Sequence, residues 1–296
     1  MKIEIEWIEI PAGEFVFGLS GEQVGAIREK NYQESGYKSG NKAVDDLIKS
    51  IIEKRSGFSL DELNLIKSGE FSDLIVTERI LKNIHFQSNL PLKTFYISRY
   101  PVTIQQFSGF PAKRILTHLN YLRLGSIKDS IYSNMPAIVS WREAASFCKW
   151  VGARLPTEAE WEKSARGVDG RLYPWGNDWD IHKGNFDPTM LEPWKNSTEY
   201  KYIDTLTSPI DAYPLGASPF GVWDMCGNVY EWTNTNRDFN DGKALVLKSC
   251  SVKHTTNRPW FDAILAFYRD GGQGKNEPFE YTGFRPVKDK WVNKYL

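Results

Sequence analysis

The feature that most limits the fold of this chain is its C-terminal part, where regular hydrophobic periodicity is scarce. From Leu172 onward the sequence is dense in Gly, Pro, Asn, Asp and Trp, and few periodic runs exceed about six residues. Long helices and strands therefore cannot supply most of the stabilisation. Large aromatic side chains, each burying about 150–250 Å², or bound metal ions can take over that role. The 11 Trp, 14 Tyr and 16 Phe residues supply the aromatic part.

The charge balance argues against a nucleic-acid-binding or anionic-membrane-binding protein. The 296 residues include 37 Lys and Arg against 37 Asp and Glu, so the formal net charge is zero. Binding to phosphates requires an excess of positive charge that displaces counterions. We therefore expect no nucleic-acid partner.

The first residues do not form a secretory signal, because Glu4, Glu6 and Glu9 stand where such a signal would be uncharged. No run approaches the roughly 18 apolar residues that span a bilayer. Three cysteines, Cys148, Cys226 and Cys250, form neither a CxxC pair nor an even disulfide framework. These observations predict a soluble, cytoplasmic protein with reduced thiols and no membrane partner.

Local patterns predict strands near the N-terminus and helices after it. The opening residues read as strand, turn and strand, with the turn at Pro11-Ala12-Gly13. From Ser20 to about Pro91 the apolar spacing becomes helical. Residues 92–103 return to a β-pattern.

Two capping boxes predict helix starts later in the chain. Ser140 with Glu143 precedes one apolar stripe, and Thr157 with Glu160 precedes another. The carboxylates Glu158 and Glu160, with Arg154 and Trp161, could also form a catalytic group. A structural role is favoured, because acids at a helix start interact well with the helix dipole.

Eight short strings occur in a fixed order along the chain. They are IPAGEFVFG (10–18), YPVT (100–103), PAIVSW (136–141), GARLPTEAEWEKSARG (152–167), YPWGN (173–177), GNF (184–186), SPFGVWDMCGNVYEWT (218–233) and GFRPV (283–287). Together they resemble the formylglycine-generating enzyme family, also called the sulfatase-modifying-factor domain family. The resemblance implies an α+β, loop-rich fold of elaborated C-type-lectin type. It also implies one domain over residues 1–296 with a helical insertion at 20–91, and a buried framework role for Arg285.

The family's best-known activity oxidises a cysteine of a sulfatase chain to formylglycine with copper held by two thiolates. Soft Cu(I) is selected by paired thiolates over harder cations. Matching residues 245–261 to that site puts Cys250 on a glycine of the family, His254 near the first thiolate and Pro259 near the second. Both copper thiolates are thus missing, and we expect a chain that neither binds copper nor makes formylglycine.

A replacement metal site at Cys250 and His254 stays open, because residues four apart face together on a helix. A small buried cysteine and a surface histidine explain the same pair more simply.

The resemblance implies structural calcium at two places. One loop supplies Asp224, the carbonyls of Gly227 and Val229, and Glu231, and these are oxygen ligands of the kind that Ca²⁺ prefers. In the alternative, Glu231 pairs with an arginine and the loop closes without metal. The second place, which belongs to the same family pattern, comprises Asn185, Phe186 and Asp204.

Two functions follow from these observations. The first is a catalytically silent member that binds a protein or peptide. The second is a metal-dependent oxidoreductase of altered chemistry that acts on a peptide or small molecule in the family cleft. The partner surface predicted for the first function comprises Trp260, Tyr268, Asp270 and Tyr281. The cleft predicted for the second function lies near Ser251, His254 and Trp260.

Overall fold

A computed structural model of the chain describes residues 3–34, 87–111, 133–186, 207–239, 242–249 and 281–289. Strands β1 (Trp7–Ile10) and β2 (Gly13–Phe17) form on either side of the predicted turn. Each belongs to a different sheet. In one, β1 pairs with β4 (Phe95–Ser98), and β4 pairs with β8 (Val287–Lys288).

The other N-terminal sheet is a two-stranded ribbon of β2 and β3 (Ser88–Leu92). Its antiparallel register runs from Gly13 opposite Leu92 to Phe17 opposite Ser88. The helical prediction was therefore wrong for residues 88–91, which form a strand. The spacing of apolar residues within this stretch could not show the strand, because β3 is stabilised by its hydrogen bonds to β2, about seventy residues earlier in the sequence.

Helix α1 (Gly21–Glu34) opens the segment that was predicted to be helical. Its start is capped by Ser20, whose Oγ accepts the Gln23 amide at 3.1 Å while Gln23 Oε1 accepts the Ser20 amide at 2.9 Å. Ile27 lies buried against the domain. Residues 35–86 of this segment lie outside the described residues.

Both predicted capping boxes are confirmed. Helix α2 (Ile104–Ser108) is followed by α3 (Trp141–Trp150), which begins after Ser140, and by α4 (Glu158–Arg166), which begins after Thr157. The Glu143 and Glu160 side chains return to the backbone amides of their cap residues at 2.7 and 2.8 Å.

The third sheet places β5 (Tyr230–Phe239) between β6 (Gly242–Lys248) and β7 (Thr282–Gly283). Glu231 of β5 pairs with Lys248 on one side and with Gly283 on the other. Lys248 and Gly283, which flank segment 250–280 in the sequence, therefore lie on either side of the same residue of the central strand.

Aromatic residues form much of the interior, as the composition predicted. The largest core cluster includes Phe107, Phe147 and Phe284, whose ring centroids lie 5.4–6.1 Å apart. A smaller cluster in the loop region packs Tyr173, Phe186 and Cys226 together. Among the described residues, no helix is both long enough and apolar enough to cross a membrane.

Candidate functional site

The predicted calcium loop is a tight turn that precedes β5. Asp224 and Asn228 have φ angles of 58° and 66°, and Gly227 has 97°, so three of its residues are in the left-handed region. A side chain at position 227 would place its Cβ 3.0 Å from the Asn185 carbonyl oxygen. Glycine is needed there because the backbones of the two predicted calcium segments lie in direct contact.

Asn228 holds these two segments together, and sequence reasoning did not assign it a role. Its Nδ2 donates to Asp224 Oδ2 at 2.8 Å and to the Ser208 carbonyl at 3.1 Å. Its Oδ1 accepts from the Ser208 amide at 2.8 Å and from Asn185 Nδ2 at 3.2 Å. The signal was available in the Gly-Asn pair, because asparagine tolerates the left-handed turn and bonds to nearby backbone.

Asp224 is a buried acid, with 6% of its surface exposed. Burial raises its pKa to about 7, although the hydrogen bond from Asn228 and the charge of Arg285 act in the opposite direction. The carboxylates of Glu231 and Asp211 add to the increase. A cation near Asp224 would offset this cost.

Glu231 is bonded through both oxygens to Arg285. Arg285 Nη2 donates to Oε1 at 2.6 Å, and Arg285 Nε donates to Oε2 at 2.7 Å. Trp161 Nε1 donates to Oε2 at 2.8 Å. Both ion-pair side chains are completely buried, so the framework role predicted for Arg285 is confirmed.

The donors around this loop fit calcium chemically. When both carboxyl groups are ionised, Asp224, Glu231 and Arg285 together carry one net negative charge in a buried setting, and a bound cation would favour that ionised state. The Gly227 carbonyl accepts from the Val229 amide at 2.8 Å and from Ser249 Oγ at 3.3 Å. Within the described ranges, no group of three His, Cys, Asp or Glu side chains is placed to hold a metal. Backbone carbonyls would therefore have to contribute, as the family pattern implies.

The second predicted calcium segment is also buried. Asn185 is 1% exposed and Phe186 is 2% exposed. The third residue predicted for this place, Asp204, lies outside the described residues. The geometry thus brings Asn185 and Phe186 beside the first loop through Asn228.

Most of the predicted partner surface also lies outside the described residues, namely Ser251, His254, Trp260, Tyr268 and Asp270. Of the predicted surface, the structure describes Tyr281, and it also describes Ser249, which comes just before segment 250–280. Ser249 is buried with φ 69°, and Tyr281 is half-buried with φ 35°. The Tyr281 carbonyl accepts the Tyr230 amide at 3.0 Å. The residues that flank segment 250–280, Ser249 and Tyr281, therefore both have backbone conformations that are uncommon for residues other than glycine.

The described cysteines are core residues, as predicted. Cys148 is 0% exposed in the large cluster, and Cys226 is 2% exposed beside Tyr173 and Phe186. Burial raises the pKa of the Cys148 thiol far above its usual range. A thiol in such surroundings stays protonated and is a poor metal ligand.

Helix α4 carries a buried charge network that sequence reasoning missed. Glu162 Oε1 accepts from Arg166 Nη1 at 2.5 Å, and its Oε2 accepts from Lys248 Nζ at 2.9 Å. Lys248 also lies 3.6 Å from Glu158. Burial alone would raise the pKa of Glu162, but Lys248, Arg166 and the Gly18 amide hold it below its ordinary value.

The proposed structural role of Arg154 and Glu160 agrees with the geometry. Arg154 donates to both oxygens of Glu160, at 2.8 and 2.6 Å. Glu160 also closes the capping box of α4. These groups are therefore engaged with one another and with the helix start.

A family model for the sulfatase-modifying factor enzyme 1-like domain matches residues 49–290, which is most of the chain. The chain belongs to this family. The matched range includes the later part of segment 20–91 and leaves out residues 1–48. The mixture of helices and small sheets is consistent with an α+β member of the family.

Known family relatives match parts of the chain. It is 41% identical over 112 residues to the formylglycine-generating enzyme of Mus musculus, a match that covers 34% of this chain and 27% of that protein. It is 38% identical over 118 residues to the inactive C-alpha-formylglycine-generating enzyme 2 of Bos taurus, covering 38% and 36%. The uncharacterized protein YfmG of Bacillus subtilis is 28% identical over 250 residues, covering 74% and 51%. The matches thus span only about a quarter to a half of these relatives.

Two solved structures are also similar. The crystal structure of CarF covers 97% of this chain and 99% of its own, at 15% identity and a TM-score of 0.49. Treponema denticola variable protein 1 covers 70% and 88%, at 17% identity and a TM-score of 0.47.

Proposed function

We propose that this chain is a catalytically silent member of the family that binds a protein or peptide partner. One observation carries the proposal: the chain has three cysteines, and the two that the structure describes are buried in separate core clusters. Only Cys250 remains for a copper site, whereas the family's copper chemistry needs two thiolates to select Cu(I).

Two further observations support the proposal. One relative that matches the chain at 38% identity is itself described as inactive. In addition, segment 250–280 carries Trp260 and Tyr268, and tryptophan and tyrosine are among the residue types that dominate binding interfaces. Its ends are fixed beside Glu231 of β5, so the contacting residues would project from a firmly held base.

The proposal includes structural calcium at the loop before β5. Asp224, the carbonyls of Gly227 and Val229, and Glu231 would hold the ion, with Glu231 shared between the ion and Arg285. A bound Ca²⁺ would supply positive charge to this buried cluster and would favour the ionised form of Asp224. Asn228 orients Asp224 by donating to Oδ2 at 2.8 Å. Asn185, Phe186 and Asp204 would hold a second ion.

A stability measurement tests the calcium part. The melting temperature of the purified chain is recorded with calcium and with EGTA, for wild type and for Asp224→Asn. Because a ligand that binds only the native state stabilises it, calcium should raise the wild-type value and have a smaller effect on the variant. In EGTA, Asp224→Asn should be at least as stable as wild type, since it removes a buried charge. Identical wild-type curves with calcium and EGTA would show that calcium is not bound.

Product analysis tests catalytic silence. The chain is loaded anaerobically with Cu(I), exposed to oxygen and a sulfatase-type cysteine peptide, and the peptide is then examined by mass spectrometry. The mouse formylglycine-generating enzyme serves as the positive control. We expect aldehyde from the control and none from this chain. Aldehyde formation that disappears in Cys250→Ser or His254→Ala would instead support the metal-dependent oxidoreductase.

Binding is tested with a partner that has been purified and reconstituted with the chain. Trp260→Ala and Tyr268→Ala should weaken a one-to-one complex about thirtyfold or more if these rings are central contacts. Trp150→Ala is the matched control, because this tryptophan is 40% exposed on α3, outside the proposed surface. Equal affinities for all three variants would contradict the proposed surface.

A further inference from the structure

The sheet of β1, β4 and β8 has one closed edge and one open edge. At the closed edge, Val287 of β8 exchanges two backbone hydrogen bonds with Arg154, at 2.8 and 2.9 Å. At the other edge, β1 pairs with β4 alone among the strands that the structure describes. An edge strand presents a row of unpaired N–H and C=O groups that can pair with another strand. A fourth strand can therefore be added beside β1.

The hydrogen bonds of β4 show which residues of β1 face this open edge. The Ser98 amide, which lies opposite Trp7, donates to the Pro286 carbonyl at 2.9 Å on the far side of β4. Trp7 and Ser98 are therefore a non-hydrogen-bonded pair, in which the N–H and C=O groups of Trp7 point away from β4. Glu9, two residues later, has the same orientation. The open edge thus offers the backbone groups of Trp7 and Glu9.

The two faces of β1 differ in character, because successive strand side chains point to opposite faces. On the inner face, Ile8 packs against a core cluster but is only partly buried. On the solvent face, Lys288 Nζ lies 4.2 Å from the centre of the Trp7 ring, a cation–π contact. Glu9 is exposed, and its Oε2 accepts from the Tyr96 hydroxyl at 2.9 Å. β1 therefore presents a ring that carries a cation next to a carboxylate.

A second copy of β1 complements this edge in one antiparallel register. With Glu9 opposite its own copy, like charges would face each other, which is destabilising, and Trp7 would lie opposite Pro11, which has no N–H. With Trp7 opposite its own copy, two rings that each carry an ammonium group would meet. With Ile8 opposite its own copy, each Glu9 lies opposite the Trp7 ring that carries Lys288, and the two Ile8 side chains cover each other. This last register brings opposite charges together and removes apolar surface from water.

We propose that β1 pairs with β1 of a second copy of this chain, antiparallel and centred on Ile8, so that two three-stranded sheets join into one. Trp7 of each copy forms a hydrogen-bonded pair with Glu9 of the other, and each such pair exchanges both backbone bonds. The result is a symmetric dimer in which the same strand serves both copies. The contact uses none of the residues proposed for partner binding. A chain that is monomeric would therefore leave the proposed function standing.

Cysteine cross-linking tests the register. The experiment uses a Cys250→Ser background, in which the remaining thiols, Cys148 and Cys226, are buried. Opposed residues of a non-hydrogen-bonded pair have Cα atoms about 4.5 Å apart, which a disulfide can span. Oxidised Ile8→Cys should therefore run as a covalent dimer on a non-reducing gel. Glu14→Cys is the matched control, since this residue is exposed on β2, and it should stay largely monomeric.

Charge reversal tests the contact between Glu9 and Lys288. Sedimentation equilibrium gives the dimer dissociation constant of wild type, Glu9→Lys and Lys288→Glu. Each variant places like charges together across the interface and should weaken the dimer about tenfold or more. An equal mixture of the two variants should restore it, because each contact then joins a lysine to a glutamate. Glu14→Lys makes the same change of net charge as Glu9→Lys and should dissociate as wild type does.

These measurements decide the proposal. A wild-type chain that sediments as a monomer at every concentration would overturn it, and so would cross-linking of Ile8→Cys no faster than that of Glu14→Cys. A mixture of Glu9→Lys and Lys288→Glu that stays as weak as either variant would equally overturn it. The charge variants change only side chains on the solvent face, so they decide the question alone if Ile8→Cys does not fold.

Discussion

The buried ion pair between Glu231 and Arg285 gives the sharpest prediction about stability. Glu231→Gln keeps the shape of the side chain but removes its charge. Arg285 would then remain buried and lose the carboxylate that accepts both of its bonds, keeping hydrogen bonds to the carbonyls of Trp223 at 2.9 Å and Arg99 at 3.1 Å. Breaking a fully buried pair in this way costs about 3–5 kcal/mol of unfolding free energy.

The matched control is Asp289→Asn, which removes a carboxylate that also accepts from an arginine. The Arg154 Nη2 to Asp289 Oδ1 distance is 2.5 Å, but the Asp289 side chain is 73% exposed. Arg154 also keeps its two bonds to Glu160. A solvent-exposed pair of this kind contributes about 0.2–1 kcal/mol.

Equilibrium unfolding in guanidinium chloride measures both variants. The buffer contains EGTA, so that any loss of calcium by Glu231→Gln does not enter the comparison. We expect the buried variant to lose at least about 2 kcal/mol more than the exposed one. Equal losses would refute the conclusion that Glu231 and Arg285 form a desolvated framework pair.

Four further substitutions test the scaffold. Gly216→Ala would place a Cβ 1.9 Å from the Lys183 carbonyl oxygen and should cost about 1–3 kcal/mol. Gly25 lies in α1, and a Cβ at this position would have no atom within 4 Å, so Gly25→Ala should stabilise the protein by about 0.5–1 kcal/mol. Equal changes in melting temperature for Gly216→Ala and Gly25→Ala would be inconsistent with this packing. Ser140→Ala removes the acceptor for the Glu143 amide at 3.3 Å and should cost about 0.5–2 kcal/mol by the same measurement, so an unchanged melting curve would contradict the capping role. The ionised Glu162 side chain faces Lys248, Arg166 and Glu158, and its pKa in the folded protein lies below the ordinary value of 4.5. Its contribution to the free energy of unfolding is therefore fully present above pH 4.5 and is lost as the pH falls through the pKa of the folded state. In Glu162→Gln, the free energy of unfolding should therefore fall less steeply with decreasing pH below 4.5 than it does in wild type. The same acid dependence in both proteins would contradict this role of Glu162.

Local patterns predicted the parts of the fold that depend on near neighbours. The capping boxes at Ser140 and Thr157 involve residues three positions apart, so the sequence shows both partners together. The aromatic load predicted a core built from rings, and the turn at residues 11–13 separated two strands.

The missed features depend on contacts that are distant in sequence. Strand β3 exists because it pairs with β2, and no pattern within residues 88–92 indicates that ladder. Asn228 bonds to Asn185, 43 residues earlier, and Glu162 bonds to Gly18, 144 residues earlier. Buried polar networks of this kind become visible only when the fold brings their members together.

Copper binding tests the central claim most directly. The purified, reduced chain is titrated with Cu(I) against a competing chelator, and copper per chain is measured for wild type and for Cys250→Ser. The account predicts no tightly held copper in either, since Cys148 and Cys226 are buried and a single remaining thiolate does not make the paired site. One copper per chain in wild type that is lost in Cys250→Ser would contradict it.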